Sequence, residues 1–260
     1  MGHQLLNKKV DTITVYWAPG QFTSSERFSW NQFYSAPTPV YSSILSERNP
    51  EASSRAIFGC PAYSESMKNL FEIRSVHEEH VAIPEIFFTN PPSTFPTRLP
   101  LDSYLSFELP RASSLKNYID LAYNMSWLFF SEEPLLAKFT APYFPPKTPA
   151  KGAALAMGEF DIGLWFRNFN LDYMVPTGST EFNIDINDPL FYVQFFTEKQ
   201  IVFKRFIHTD VTQKLVEEFA QSSNRRGKKM GISFSNRYDL SRKTMLPNLV
   251  LNEIKKNVVE

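Results

Sequence analysis

Between residues 168 and 207 the chain alternates. Phe169, Leu171, Tyr173 and Val175 are separated by Asn170, Asp172 and Met174. A period of two sends one set of side chains to each face of a pleated strand, so this stretch reads as a half-buried strand. Pro176-Thr177-Gly178 turns the chain. Phe182, Ile184 and Ile186 then alternate with Asn183 and Asp185, and Asn187-Asp188-Pro189 turns it again. Leu190–Phe196 is almost wholly apolar, which predicts a strand buried on both faces. After Glu198-Lys199, Ile201–Ile207 returns. Three or four adjacent antiparallel strands follow from this pattern.

The rest of the chain is read against that block. Thr12–Trp17 alternates and stops at Pro19-Gly20. Short apolar runs at Ala56–Phe58, Leu70–Ile73, Val81–Phe88, Leu105–Leu109, Tyr118–Phe130 and Leu135–Thr140 are further strand candidates. Residues 22–50 read as irregular, and Gly59-Cys60-Pro61 as a turn. Pro91, Pro92, Pro96 and Pro100 mark a surface loop or an edge, because each proline removes a ladder donor. Residues 142–158 form a long connector, stiffened by four prolines in its first half. Beyond residue 208 the period changes. Asp210 is followed by Gln213 as in a capping box, and Val211, Leu215 and Phe219 form a helical stripe over about 210–222. Pro247 suits a first helical turn, and Val250, Ile254 and Val258 form a second stripe. The expectation is a mainly β (α+β) fold. An antiparallel β-sandwich or jelly-roll-like body over 1–208 carries one or two C-terminal helices, with 209–260 as a basic helical segment packed on it.

Charge and composition bound the function. The 260 residues hold 27 basic and 27 acidic side chains. Neutrality hides an asymmetry: residues 221–260 carry nine basic side chains against three acidic, so the preceding body has an equal and opposite excess. A polar molecule of this kind suits an anionic partner or head-to-tail docking on its own copies. Hydrophobic residues make up 43%, too many for a disordered chain, and no apolar run reaches the ~18 residues of a membrane span. The single Cys60 excludes a disulfide framework. The first 17 residues hold no apolar stretch long enough for a secretory signal, which together with the lone Cys60 points to synthesis in a reducing cytoplasm.

Few constellations carry chemistry. With nine glycines scattered singly, no Walker loop, GxGxxG or GxSxG motif occurs. His77-Glu78-Glu79-His80 is the one close histidine pair. A facial triad for non-haem iron needs two histidines and a carboxylate, and His77, Glu79 and His208 are the candidates, with iron or zinc as the metal. Against them stands a polar loop satisfied locally, with no cofactor. Glu78-Glu79 and Glu132-Glu133 are neighbours in sequence and so point to opposite faces of a strand. That geometry reads as solvated acids rather than an acid/base dyad. Trp165-Phe166-Arg167, with Phe169, resembles a cation flanked by rings. Arg225, Arg226, Lys228 and Lys229 form the densest cationic group and are the candidates for anion or nucleic-acid binding. The aromatics fall into two sets. Those at 165–206 keep strand period and read as core. Trp30, Phe33, Tyr34, Tyr143 and Phe144 sit among prolines and are the candidate partner contacts.

Three stretches carry a family resemblance: Phe130-Ser131-Glu132-Glu133-Pro134 with Thr140-Ala141-Pro142-Tyr143-Phe144; Gly158–Arg167; and Asp188–Thr197 with Phe203-Lys204-Arg205-Phe206. Val15–Pro19 and Cys60-Pro61-Ala62 fit the same pattern. The chain resembles an uncharacterised group of proteins encoded by marine tailed phages of the T4-like cyanophage kind. Residues 182–196 also resemble the late strands of dUTPase-type and cupin-type β proteins, a likeness of fold alone, since the site motifs of both are missing. The first resemblance implies a viral gene product made in the host bacterial cytoplasm, acting there or built into the virion. The resulting expectation is a non-enzymatic binding or structural protein that meets other phage or host proteins and forms an oligomer. The alternatives are a metal-dependent oxygenase or other small-molecule enzyme, and a nucleic-acid binder. No membrane association is expected.

Overall fold

The computed structural model describes residues 11–20, 33–46, 60–83, 105–107, 117–144, 147–221 and 234–259. Along them run β1 (Thr12–Pro19), β2 (Thr38–Pro39), α1 (Val40–Ser46), α2 (Pro61–Ser66), β3 (Leu70–Arg74), β4 (Glu79–Ala82), β5 (Leu105–Phe107), β6 (Tyr118–Ser131) and β7 (Leu136–Thr140). There follow β8 (Ala154–Leu155), β9 (Gly158–Asp161), β10 (Asn168–Pro176), β11 (Glu181–Ile184), β12 (Pro189–Phe195), β13 (Gln200–Arg205), α3 (Asp210–Gln221), α4 (Phe234–Lys243) and α5 (Leu246–Lys256).

The strands form two sheets and a ribbon. One sheet has the order β13-β1-β6-β10-β8, with β5 beside β6. The other has the order β2-β3-β12-β7-β9, and β4 pairs with β11 in a two-stranded ribbon. The pairing is antiparallel except between β1 and β13, which run parallel from Thr12 opposite Gln200 to Trp17 opposite Arg205.

Side-chain alternation turns these sheets into layers. β10 buries Phe169, Leu171, Tyr173 and Val175, the set its period of two selects. β12 buries Leu190 through Val193, as expected for a strand covered on both faces. The largest core cluster joins Val15, Trp17, Met125, Trp127 and Phe129 of the first sheet to Phe139, Phe191, Val193 and Phe195 of the second. Phe139 stacks on Phe169 at 4.0 Å between ring centroids, and Trp127 meets Phe191 edge-on at 5.0 Å. The two sheets therefore pack face to face as a sandwich within an α+β fold.

Both outer faces are covered by helices. On the first sheet, Tyr16, Ala18, Leu128 and Phe130 pack against Leu215, Val216 and Phe219 of α3 and Val250 and Ile254 of α5. On the second, Leu70 and Tyr192 pack against Val40 and Ile44 of α1. The helices α3 and α5 match the two sequence stripes, and α4 lies between them in the chain. The helices α1 and α2 replace irregular structure and a turn expected from the sequence, and Cys60 is the cap of α2 with Pro61 in its first turn. The cap of α3 lies one residue earlier than expected. Thr209 Oγ1 accepts from the Thr212 amide and Thr212 Oγ1 from the Thr209 amide, at 3.3 and 2.8 Å, so Thr209 takes the place expected for Asp210. The connector 142–158 contains β8 and ends at the first residue of β9. The Ala56–Phe58 run and the proline-rich segment 91–100 lie outside the described residues.

Candidate functional site

The chemistry-bearing side chains gather at two places, one inside the sandwich and one on its outer face. The interior group begins with His77, which precedes β4. In β4 the alternation buries Glu79 and Val81 and exposes His80 and Ala82. His77 Nε2 shares a 2.7 Å hydrogen bond with the Tyr123 hydroxyl and lies 4.0 Å from Glu79 Oε2. The His77 and Tyr123 rings are stacked, and Ser75 Oγ donates to the His77 carbonyl at 2.6 Å. Burial holds the imidazole down at about 4, so it is neutral near pH 7.

His208 belongs to a different part of the fold. Its Nδ1 is 2.7 Å from Thr212 Oγ1 and its Nε2 3.1 Å from Gln213 Oε1, so the first turn of α3 engages both ring nitrogens. Burial lowers its pKa as well. The structure therefore separates the three candidate metal ligands: His77 and Glu79 adjoin each other, and His208 serves the helix cap. Among the described residues no three His, Cys, Asp or Glu side chains form a group that could hold an ion.

The face of β4 opposite Glu79 is an ion-pair lock. His80 Nε2 lies 3.0 Å from Asp185 Oδ1. Lys147 bridges Asp185 and Asp188, lying 2.6 Å from the latter. Lys147, Tyr173, Asn183 and Asp188 help line a narrow pocket here, whose interior admits no more than about one water. The cluster ties the connector to the turn after β11.

The outer group lies on the second sheet. Tyr192 of β12 stands opposite Glu72 of β3, both on the face that α1 covers. Glu72 is 1% exposed, and its Oε1 accepts from Ser43 Oγ at 2.5 Å and Arg74 Nε at 2.7 Å. Among the described residues Glu72 Oε2 has no hydrogen-bond partner. The buried Tyr192 hydroxyl donates to the Phe144 carbonyl and accepts from the Phe144 amide at 3.3 Å. Burial, and then the Glu72 charge, push its pKa up. This clamp fixes Tyr143, whose ring meets Tyr192 edge-on at 5.0 Å while remaining 47% exposed. Tyr143 is itself pushed up, by burial and then by the nearby Tyr63. An aromatic side chain is thus presented to solvent on a backbone bonded to the sheet beneath it.

The other expected contact residues divide. Phe33 is exposed, whereas Tyr34 is buried. Its hydroxyl reaches Met125 Sδ at 3.4 Å and its ring packs edge-on against Trp127 at 5.5 Å. Tyr34 is a core residue, a correction to its placement among surface contacts. Trp30, Arg225, Arg226, Lys228 and Lys229 lie outside the described residues. Arg167 has its guanidinium 4.7 Å from the Trp165 ring centroid and 5.7 Å from that of Phe160, so the cation between rings is present. Glu72 and Tyr192 were not singled out by the sequence. The available signal was a carboxylate inside the apolar run Leu70–Ile73 and a tyrosine inside Leu190–Phe196.

Comparison of the chain with models of known protein families gives no match, and comparison with curated proteins gives none.

Proposed function

We propose that the chain is a phage-encoded binding or structural protein. It acts as an oligomer on other phage or host proteins, in the host cytoplasm or in the virion. One observation carries the binding part of this reading: the Tyr192 hydroxyl bonds both backbone groups of Phe144 and so holds Tyr143 half exposed. A tyrosine fixed before binding brings large amphipathic contact area and loses little conformational entropy on docking, which is the economy of an interface anchor. The phage setting comes from the sequence resemblance.

The alternatives have no comparable support. His208 is committed to Thr212 and Gln213 rather than to a shared ion. The cations at 225–229 lie outside the described residues. The test is association of the purified chain with particles of the encoding phage and with extracts of infected cells, for wild type and Tyr143→Ala. The expected result is specific association that weakens at least tenfold in the variant at unchanged melting temperature. A wild-type chain that associates with neither, or a variant that binds as well as wild type, overturns the reading.

A further inference from the structure

Sheet edges are where a β protein controls its own association, because an open edge offers a row of backbone donors and acceptors. Most edges here are blunted. β2 is two residues long and includes Pro39, and β8 is two residues long. On β9, the Asp161 amide donates to the Tyr238 hydroxyl at 2.8 Å. By contrast β13, at the end of the first sheet, runs for six residues without a proline or a bulge.

The direction of its backbone groups follows from the bonds at its ends. Gln200 donates to the Asp11 carbonyl and Phe206 to the Trp17 carbonyl, so the even-numbered residues turn toward β1. The odd-numbered residues turn outward. Two of them are already used: the Val259 amide donates to the Arg205 carbonyl, and the Ile207 amide to the Asn257 carbonyl. The chain's own C-terminal tail is thus laid antiparallel on this edge, centred on Phe206 opposite Val258. The edge accepts a strand, and the tail covers only its far end. The outward groups of Ile201 and Phe203 have no strand beside them among the described residues.

We propose that this remaining edge pairs with the same edge of a second copy, antiparallel about a twofold axis at Val202, making one continuous sheet across a dimer. The interface deepens the oligomeric part of the function proposed above. In this register Ile201 and Phe203 of one copy exchange four backbone hydrogen bonds with Phe203 and Ile201 of the other. Val202 meets Val202 as a non-hydrogen-bonded pair, apolar against apolar. Within the paired span 200–204, Lys204 falls opposite Gln200, so no like charges oppose each other there; just outside it Lys199 lies level with Arg205 of the other copy and is paired with Glu133 in its own. Shifting the twofold axis to Phe203 would put each Lys204 opposite Val202 and push the second strand further into the place of the tail. Beyond the paired strand the exposed Ile207 and Val259, 55% and 52% exposed, flank the end of the same edge.

The experiment uses full-length protein with Cys60→Ser, which leaves no native thiol. Sedimentation equilibrium gives the oligomeric state, and mild oxidation of Val202→Cys reads the register. A non-hydrogen-bonded antiparallel pair has Cα atoms about 4.5 Å apart, within disulfide range. Val202→Cys is expected to form a covalent dimer rapidly and Lys204→Cys not to. Val202→Glu, which places two like charges on the axis, is expected to weaken association at least tenfold at unchanged melting temperature. Val202 is 38% exposed, so neither change disturbs the core. An oligomer that fails to cross-link at position 202 and tolerates Val202→Glu overturns this interface and leaves the functional reading standing. A chain that stays monomeric throughout overturns the interface and the oligomeric part of that reading together, while binding by Tyr143 is decided separately.

Discussion

The His77 site makes a quantitative statement about stability and pH. His77 is 4% exposed, bonded to Tyr123, and held neutral down to about pH 4 by burial. In the unfolded chain the same imidazole titrates near 6.5. Between those values the unfolded state binds a proton that the folded state does not, so stability rises with pH across the window and falls on acidification. One pH unit of difference is worth about 1.4 kcal/mol. At pH 5 the loss relative to neutral pH is therefore about 2 kcal/mol, approaching about 3 kcal/mol below pH 4. Such a loss is a large part of the ~5–15 kcal/mol available to a domain.

The perturbation is His77→Gln, which keeps a hydrogen-bonding side chain and removes the titration. Urea unfolding at pH 7, 6 and 5 on wild type and variant gives the difference in pH slope, in which the other titrating groups cancel. The variant is expected to be less stable at pH 7, because it packs less well against Tyr123, and to lose about 2 kcal/mol less than wild type between pH 7 and 5. Parallel pH slopes for the two proteins, or a His77 ring resonance titrating near 6.5 in the folded state, would refute the reasoning.

Two other substitutions test the packing. A Cβ on Gly163 would come within 2.3 Å of the Glu133 backbone carbonyl oxygen, so Gly163→Ala is expected to cost about 1–3 kcal/mol in thermal unfolding; a neutral effect would mean that the β6–β7 turn shifts freely. Thr212→Val removes the hydroxyl that accepts from the Thr209 amide and bonds His208, and is expected to cost about 1–2 kcal/mol, with the helical circular-dichroism signal melting earlier than the sheet signal.

The parts of this fold legible in the sequence are those set by neighbours in the chain. Phe169, Leu171, Tyr173 and Val175 share a face because the pleat repeats every two residues, and Leu215 and Phe219 share one because the helix does so every 3.6. What pairs with what was misread: β10, β11, β12 and β13, expected as adjacent antiparallel strands, each pair with other strands in two sheets and the ribbon. The parallel contact of β1 with β13 joins Thr12 to Gln200, and no local pattern records a pairing over that separation. The helix α1 escaped notice because seven residues with two buried side chains, Val40 and Ile44, are too short for a stripe. Tyr34 and Tyr143 show the same limit at the site. Both lie among prolines, yet one is in the core and the other faces solvent, since burial depends on which sheet lies beneath.

The charge asymmetry gains a more specific meaning from the paired acids. Glu132 and Glu133 lie in the turn after β6 rather than in a strand, and each has work beyond solvation. Glu133 pairs with Lys199 at 2.5 Å. Glu132 accepts from the Tyr16 hydroxyl at 2.7 Å and lies 3.0 Å from Lys255 of α5, and these partners hold its carboxyl below the usual range. Part of the basic excess after residue 220 is therefore used within the molecule, where Lys255 of α5 meets Glu132 in the turn after β6. At nearly half exposure such a pair contributes at most about 1 kcal/mol, so the apolar contacts of Val250 and Ile254 carry the attachment and Lys255 sets its register. Only the cations without such a partner remain for an external one, which is why a charge count over the whole segment overstates its attraction for nucleic acid.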